Sequence, residues 1–149
     1  MKRLAVLLSA MAALALAAYA AAGVLETYKV SATLKAGSET PKPVGTMAGA
    51  TGAFSGSYKE NAKGGVLTWK LTFSNLTGPA TAAHIHKGKA GVAGPVIVPL
   101  CGPCKSGQTG TVKISKAVIA ALEGHNTYVN VHTAKNQGGE IRGAVKVSG

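Results

Sequence analysis

Three histidines of this chain have the residue type and the spacing of a transition-metal site. His84 and His86 are separated only by Ile85 in an extended, alternating stretch. Because side chains alternate between the two faces of a β-strand, both imidazoles are predicted to emerge on the face opposite Ile85. His132 has the same outward parity in a second alternating stretch, residues 128–133. If these two strands are neighbours, the three neutral imidazoles form a site suited to copper or zinc. The alternative is three histidines that hydrogen-bond to nearby loops and bind no metal.

The chain also contains one C-x-x-C pair, Cys101 and Cys104, within the string CGPC. The same string is the redox motif of thioredoxins, in which the first cysteine begins a helix after a strand. Residues 105–110, with two glycines, a serine and a threonine, favour a loop instead. We therefore predict a disulfide between Cys101 and Cys104, as is usual in exported proteins. A metal-binding role and a free or redox-active dithiol are the alternatives.

A third candidate group lies near the end of the chain, where Glu140 and Arg142 flank Ile141. The planar guanidinium of an arginine suits bidentate contacts with a carboxylate or another anion. Both side chains are predicted to face away from the core, since Ile141 takes the inward position. We favour a structural role over anion binding, with Arg142 bridging to Glu140 or to a backbone carbonyl.

The composition excludes several functions. Among 149 residues there is no Asp, and five Glu are the only carboxylates, which disfavours a calcium site, paired-carboxylate catalysis and a Ser-His-Asp triad. The formal net charge is +11, but the lysines are scattered and no arginine-rich run with interleaved aromatics is present. We therefore expect no nucleic-acid partner and favour a solubilising surface, with another acidic partner, such as an anionic polysaccharide or a lipid surface, as the alternative.

The first 22 residues have the pattern of a secretory signal peptide. A basic start is followed by an apolar run over residues 4–17 and an A-x-A motif at 18–20. Its removal takes away Lys2 and Arg3, so the net charge of the remaining domain, residues 23–149, falls from +11 to +9. The protein is predicted to be exported, either periplasmic or secreted, with no membrane span after cleavage. An uncleaved N-terminal anchor is the alternative.

The rest of the chain reads as short strands that must position these groups. Alternating apolar residues predict strands near 26–35, 54–59, 67–73, 81–87, 95–100, 111–115, 128–133 and 140–147. Residues 116–123 have helical spacing and are followed by a possible C-cap, Gly124. Short strands separated by frequent turn residues predict an all-β fold. We expect an antiparallel immunoglobulin-like or Greek-key sandwich or barrel, with one short helix in a crossover loop.

Several of these segments, in this order, resemble the CHRD domain family, first described in chordin. The segments that carry the resemblance are 76–88, 91–98, 128–133 and 139–143. The resemblance extends over about residues 26–147, which makes residues 23–149 a single CHRD domain. It implies an all-β, immunoglobulin-like barrel, and it implies no defined catalytic activity.

The order of an H-x-H strand, a Gly-Pro segment and a later Val-His pair is also similar to the copper site of Cu,Zn superoxide dismutases. This similarity implies copper as the cofactor and His84, His86 and His132 as its ligands. The bridging and zinc-binding residues of that family have no counterparts here, which disfavours dismutase chemistry and assigns no catalytic residue. We expect a binding module for a transition metal such as copper. The alternatives are an extracellular or envelope interaction domain without metal, whose protein partner the sequence does not identify, and a minimal dismutase-like enzyme.

Overall fold

The computed structural model describes residues 26–149, so the predicted signal peptide lies outside the described residues. Within this range the chain forms nine strands, one α-helix and a short 3-10 turn at Ala36–Ser38. The strands are β1 (Thr27–Lys35), β2 (Thr51–Asn61), β3 (Gly64–Ser74), β4 (Ala80–Lys87), β5 (Val96–Cys101), β6 (Gln108–Ile114), β7 (Thr127–Thr133), β8 (Ile141–Ala144) and β9 (Lys146–Ser148). The helix α1 (Lys116–Glu123) lies between β6 and β7. The predicted all-β class with one short helix is confirmed.

The strands form one antiparallel sheet with the order β5-β4-β7-β8-β1-β2-β3-β6, and β9 pairs with β1 beyond β8. The sheet curls into a nearly closed barrel. The two strands that end this order, β5 and β6, approach each other without forming a hydrogen-bonded ladder between the described residues. Neighbours such as β4 and β7 are distant in sequence, as in a Greek-key arrangement.

The inner face of the barrel is apolar because the strand sequences alternate. In β1 the residues Val30, Ala32 and Leu34 are buried, whereas the residues between them are exposed. Burying such a side chain stabilises the fold by about 1.5–3 kcal/mol for the larger members. In β3 the buried Trp69 lies opposite Gly110 of β6, and a Cβ added at Gly110 would come within 2.4 Å of the indole ring. The glycine therefore makes room for the tryptophan.

The helix α1 forms where the spacing predicts it. The Ser115 side chain caps its first turn by accepting a hydrogen bond from the Val118 amide at 3.3 Å. Ile119 and Leu122 are buried against the barrel. Because β6 and β7 are not neighbours in the sheet, α1 lies in a crossover connection, as predicted. In residues 26–149 no helix combines the length and the apolar character that crossing a membrane requires.

Some strand boundaries differ from the predicted ones. β6 begins at Gln108, inside the predicted 101–110 loop, because its ladder with β3 extends to the pair Leu71 and Gln108. The predicted single strand at 140–147 divides into β8 and β9, since the Val145 amide turns to donate to the Thr127 carbonyl. β2 is longer than predicted and pairs with β3 through a tight turn.

Three loops pack on the outer face of β4, β7 and β8. They comprise residues 36–50, 88–95 and 134–140, and we call them the covering loops. Asn136 joins two of them, because its side chain accepts from the Val44 amide at 2.7 Å and donates to the Val44 carbonyl. All seven residues of β7 are buried as a result. This half of the barrel therefore carries a second layer outside the sheet.

Candidate metal centre

The three histidines predicted to form a site lie together on the outer face of β4 and β7. These strands are neighbours, and Ala82 pairs with His132 while His86 pairs with Tyr128. Ile85 is fully buried on the inner face, which places His84 and His86 on the outer face as the alternation requires. The ring centroid of His84 lies 5.0 Å from that of His132 and 5.6 Å from that of His86.

The nitrogen atoms of this cluster lie close enough for a shared ion. His84 Nδ1 is 3.1 Å from His132 Nε2, and one ring nitrogen from each of the three histidines lies within 4.8 Å of the other two. Imidazole nitrogens bind zinc or copper at about 2.0–2.1 Å, so two nitrogens on one ion are at most about 4.2 Å apart. Small side-chain rotations therefore bring this cluster to coordinating distances.

Two of the imidazoles are oriented by backbone carbonyls. His86 Nδ1 donates to the Gly94 carbonyl at 2.8 Å, and His132 Nδ1 donates to the Gln137 carbonyl at 2.8 Å. A proton held on Nδ1 leaves Nε2 as an acceptor, which is the arrangement that orients histidine ligands around metals. Nε2 of His132 accepts a hydrogen bond from Nδ1 of His84 at 3.1 Å. His86 Nε2 is buried and has no hydrogen-bond partner among the described residues.

The surroundings of His84 and His132 favour the neutral form of each imidazole. Burial lowers the pKa of His84, and the neighbouring His132 and His86 lower it further. Burial also lowers the pKa of His132, although its hydrogen bond to the Gln137 carbonyl acts in the opposite direction. Neutral imidazole is the form that binds a metal ion.

The cluster is reached from solvent through a cleft. Its volume is about 450 Å³, and His84 and His132 line it together with residues of the 134–140 loop. His84 is partly exposed, whereas His86 and His132 are buried. A metal ion held by the three histidines would therefore have a path of entry and room for a further ligand.

Arg142 fixes the loop that orients His86. Its Nη2 donates to the carbonyls of Lys89 and Val92, both at 2.8 Å, and its guanidinium lies 3.3 Å from the centroid of the Tyr128 ring. The His86 ring stacks on the same tyrosine with a centroid distance of 4.9 Å. Of the two structural contacts considered for Arg142, the backbone carbonyl is the one observed, and the nearest carboxylate is Glu39 at 3.9 Å.

Glu140 fixes the loop that orients His132. Its carboxylate accepts hydrogen bonds from the Thr77 amide at 2.7 Å, the Thr77 and Thr133 hydroxyls at 2.6 Å each and Asn136 Nδ2 at 3.2 Å. Burial alone would raise the pKa of Glu140, but the hydrogen bonds from Thr133, Thr77 and Asn136 outweigh it and lower that pKa. Arg142 lies over the ring of Tyr128, the Glu140 carboxylate lies among Thr77, Thr133 and Asn136, and both side chains are buried.

Sequence reasoning missed several residues of this layer. Glu39 is fully buried beside Arg142 and Asn130, and burial raises its pKa although the Thr40 amide and Arg142 act against that shift. Tyr128 and Asn136 connect the loops to the sheet. One signal was available for Glu39, because it is a lone carboxylate in a segment otherwise rich in Gly, Pro, Ser and Thr.

The two cysteines form a disulfide and lie outside the histidine cluster. Cys101 at the end of β5 is bonded to Cys104, with an S–S distance of 2.10 Å. Cys101 pairs with Ala83 of β4, so the disulfide lies on the strand next to His84.

The barrel, the covering loops and the outward histidine cluster define a β-barrel domain of a recognisable class. The family model of the CHRD domain matches residues 30–145, and the chain belongs to this family. No curated protein and no solved structure shows significant similarity to the chain.

Proposed function

We propose that this CHRD domain is an exported binding module that holds one copper ion through His84, His86 and His132. The observation that carries the proposal is the unpartnered Nε2 of His86, a buried polar atom beside two other imidazoles. A buried nitrogen acceptor without a partner is costly to a fold, and a bound ion would remove that cost.

The ligand chemistry favours copper over other ions. The cluster contains three imidazoles and neither a thiolate nor a carboxylate. Such a nitrogen set suits copper, zinc, nickel and iron, and among divalent first-row ions copper is bound most tightly by a given set of ligands. Calcium and magnesium, which need oxygen ligands, are disfavoured.

Export is part of the same proposal. The N-terminal sequence has the pattern of a signal peptide, and a disulfide such as Cys101–Cys104 persists in oxidising compartments. In the periplasm or outside the cell, the open cleft at His84 would meet metal ions directly.

The test is the copper content and copper affinity of protein purified without a metal-binding tag. We expect one copper ion per chain after loading and desalting, and loss of that ion in the double variant His84→Ala/His86→Ala. His125→Ala is the matched control, because His125 is exposed in the α1–β7 turn outside the cluster. The electron paramagnetic resonance spectrum of the loaded protein should show coupling to imidazole nitrogens. Equal copper content in all three proteins would exclude the site.

A specific observation favours a second function, an extracellular or envelope interaction domain without metal. His86 and His132 each hold a covering loop through a carbonyl, so the cluster also has a structural use. This function predicts that the wild type retains no copper. It also predicts that His132→Ala lowers the free energy of unfolding by about 1–3 kcal/mol, because the Gln137 carbonyl and His84 lose their partner.

A further inference from the structure

A second surface lies on the half of the barrel away from the histidines. In β1, β2, β3, β6 and β9 most side chains alternate between the core and the outer surface, and the residues that point outward are polar or small except for Val66. Six of these outward residues are exposed lysines, and we call this surface the lysine face: Lys29, Lys35, Lys59, Lys70, Lys113 and Lys146. No outward position of these five strands carries a carboxylate.

The strand register arranges the lysine face in rows. One row runs from Lys146 across Ser31 and Ser55 to Lys70 and Thr109. The next row contains Ser148, Lys29, Ser57, Thr68 and Thr111 in the same way. Neighbouring strands lie about 4.8 Å apart, so each ammonium group on its flexible side chain can reach over several hydroxyl-bearing positions.

The lysine face also has a shallow depression. Thr33, Ala53 and Thr72 lie in one row, and the small side chain of Ala53 leaves space between the two threonines. The depression has a volume of about 420 Å³ and extends to Phe73. Threonine hydroxyl groups can exchange hydrogen bonds with the hydroxyl groups of a sugar ring lying in such a depression.

We propose that the lysine face binds a linear acidic polysaccharide, one that carries carboxylate or sulfate groups along its length. Ammonium and hydroxyl groups donate hydrogen bonds to such anions, and the absence of a carboxylate removes the main source of repulsion. The lysines are scattered in the sequence, but the strand register gathers six of them on one face.

Two other polyanions fit this surface less well. An anionic membrane is bound by inserting apolar side chains as well as by charge, and Val66 is the one large apolar side chain exposed on the lysine face. Nucleic acids are held through aromatic stacking and arginine contacts, and the outward positions of these strands carry neither residue type.

The experiment compares two triple variants with equal loss of charge. Lys59→Gln/Lys70→Gln/Lys113→Gln removes three lysines of the face. The control variant, Lys89→Gln/Lys105→Gln/Lys135→Gln, removes three exposed lysines elsewhere. Affinities for heparin and for polygalacturonate are measured at low and at high ionic strength, with phosphatidylglycerol-containing vesicles and duplex DNA as competing probes. Circular dichroism and thermal melting establish that each variant is folded.

The wild type and the control should bind at least one of the two polysaccharides, and added salt should weaken that binding. The face variant should bind it about tenfold more weakly or worse, since three ionic contacts are lost together. Equal losses in the two variants would mean that only net charge matters and would overturn the proposal. So would tighter binding of vesicles or DNA, or no binding to either polysaccharide. The copper-site variant His84→Ala/His86→Ala should keep the polysaccharide affinity, which separates this inference from the proposed metal site.

Discussion

In both the histidine half and the lysine half of the barrel, side chains alternate between the inner and the outer face. The two halves differ in what surrounds the outward side chains. On the lysine half, formed by β1, β2, β3 and β6, outward side chains reach water. On the histidine half, formed by β4, β7 and β8, outward side chains meet the covering loops, and every residue of β7 is buried. The same inside–outside rule therefore gives hydrated charges on one half and buried polar groups on the other.

The difference has an energetic consequence for each polar group. A hydrated lysine needs no partner, whereas a buried carboxylate or guanidinium costs several kcal/mol unless the protein supplies hydrogen bonds. Glu140 accepts hydrogen bonds from Thr77, Thr133 and Asn136, and Arg142 Nη2 donates to two carbonyls of the 88–95 covering loop. His86 Nε2 receives no such contact. It is one of five buried side-chain atoms without a hydrogen-bond partner among the described residues, together with Glu39 Oε2, Thr127 Oγ1, Asn130 Oδ1 and Arg142 Nη1, and it is the one that lies beside two other imidazoles.

The largest effect is expected at Glu140. Glu140→Gln replaces a carboxylate that accepts four hydrogen bonds with an amide that can accept fewer, and it should lower the free energy of unfolding by about 3 kcal/mol or more at neutral pH. Glu60→Gln is the matched change on the lysine half. Glu60 forms a partly exposed ion pair with Lys116, and its loss should cost less than about 1 kcal/mol. Equal losses in urea denaturation would contradict the comparison.

The same pair of variants has a predicted pH dependence. The pKa of Glu140 is lowered in the folded protein, so its carboxylate stabilises the fold at pH values above the ordinary pKa of a glutamate, about 4.3. This stabilisation is lost as the pH falls through the lowered pKa. The difference between the wild type and Glu140→Gln should therefore shrink on acidification, and a difference that grows would contradict the assignment.

An intermediate effect is expected at Arg142. Arg142→Lys keeps the charge but loses the Nη2 atom that donates to two carbonyls and the planar group over Tyr128, and it should destabilise the fold by about 1–3 kcal/mol. Lys70→Arg, the reverse change on the lysine half, should alter stability by less than about 0.5 kcal/mol. The melting temperatures of both variants measure this difference. Equal shifts in melting temperature would contradict the prediction.

The smallest effect on stability is expected on the lysine face itself. Lys59→Gln/Lys70→Gln/Lys113→Gln should change the free energy of unfolding by less than about 0.5 kcal/mol, although three charges are removed. If the free energy of unfolding changes, it should increase, because like charges on one face repel each other in the wild type. The increase should be seen at low ionic strength and should disappear as salt screens the charges. A decrease of about 2 kcal/mol or more in the free energy of unfolding is typical of the loss of a buried contact. Such a decrease would show that these side chains are structural.

Most of the lysine half could be predicted from the sequence. The alternation in β1 and β3 places Leu34 and Trp69 inside and Lys70 outside, and a strand with one solvated face shows this pattern directly. β6 was only partly predicted, because Gly110 resembles a breaker. A glycine occurs at this position of the strand because of a tertiary contact: it leaves room for the ring of Trp69 on the neighbouring strand.

For the histidine half, the sequence predicts on which face of its strand each side chain lies, but it does not predict that the outward side chains are buried. The outward direction of His84 and His86 follows from the inward position of Ile85. The pairing of β4 with β7 could not be predicted, because the two strands are far apart in the sequence. The covering loops depend on contacts such as Val44 with Asn136, 92 residues apart, and no local pattern encodes them. For this reason Glu39 was missed, and the burial of Glu140 and Arg142 beneath these loops was not predicted.

Within residues 26–149 the sheet order begins at β5 and ends at β6, and each of these two strands keeps one backbone edge unpaired. Such edges can pair with another molecule and start aggregation. β5 contains Pro99, a residue that lacks an amide hydrogen, and β6 carries Lys113, whose charge would be brought close to that of a second copy. Pro99 and Lys113 therefore disfavour pairing of the open seam with a second copy, although the barrel is not closed by hydrogen bonds between β5 and β6.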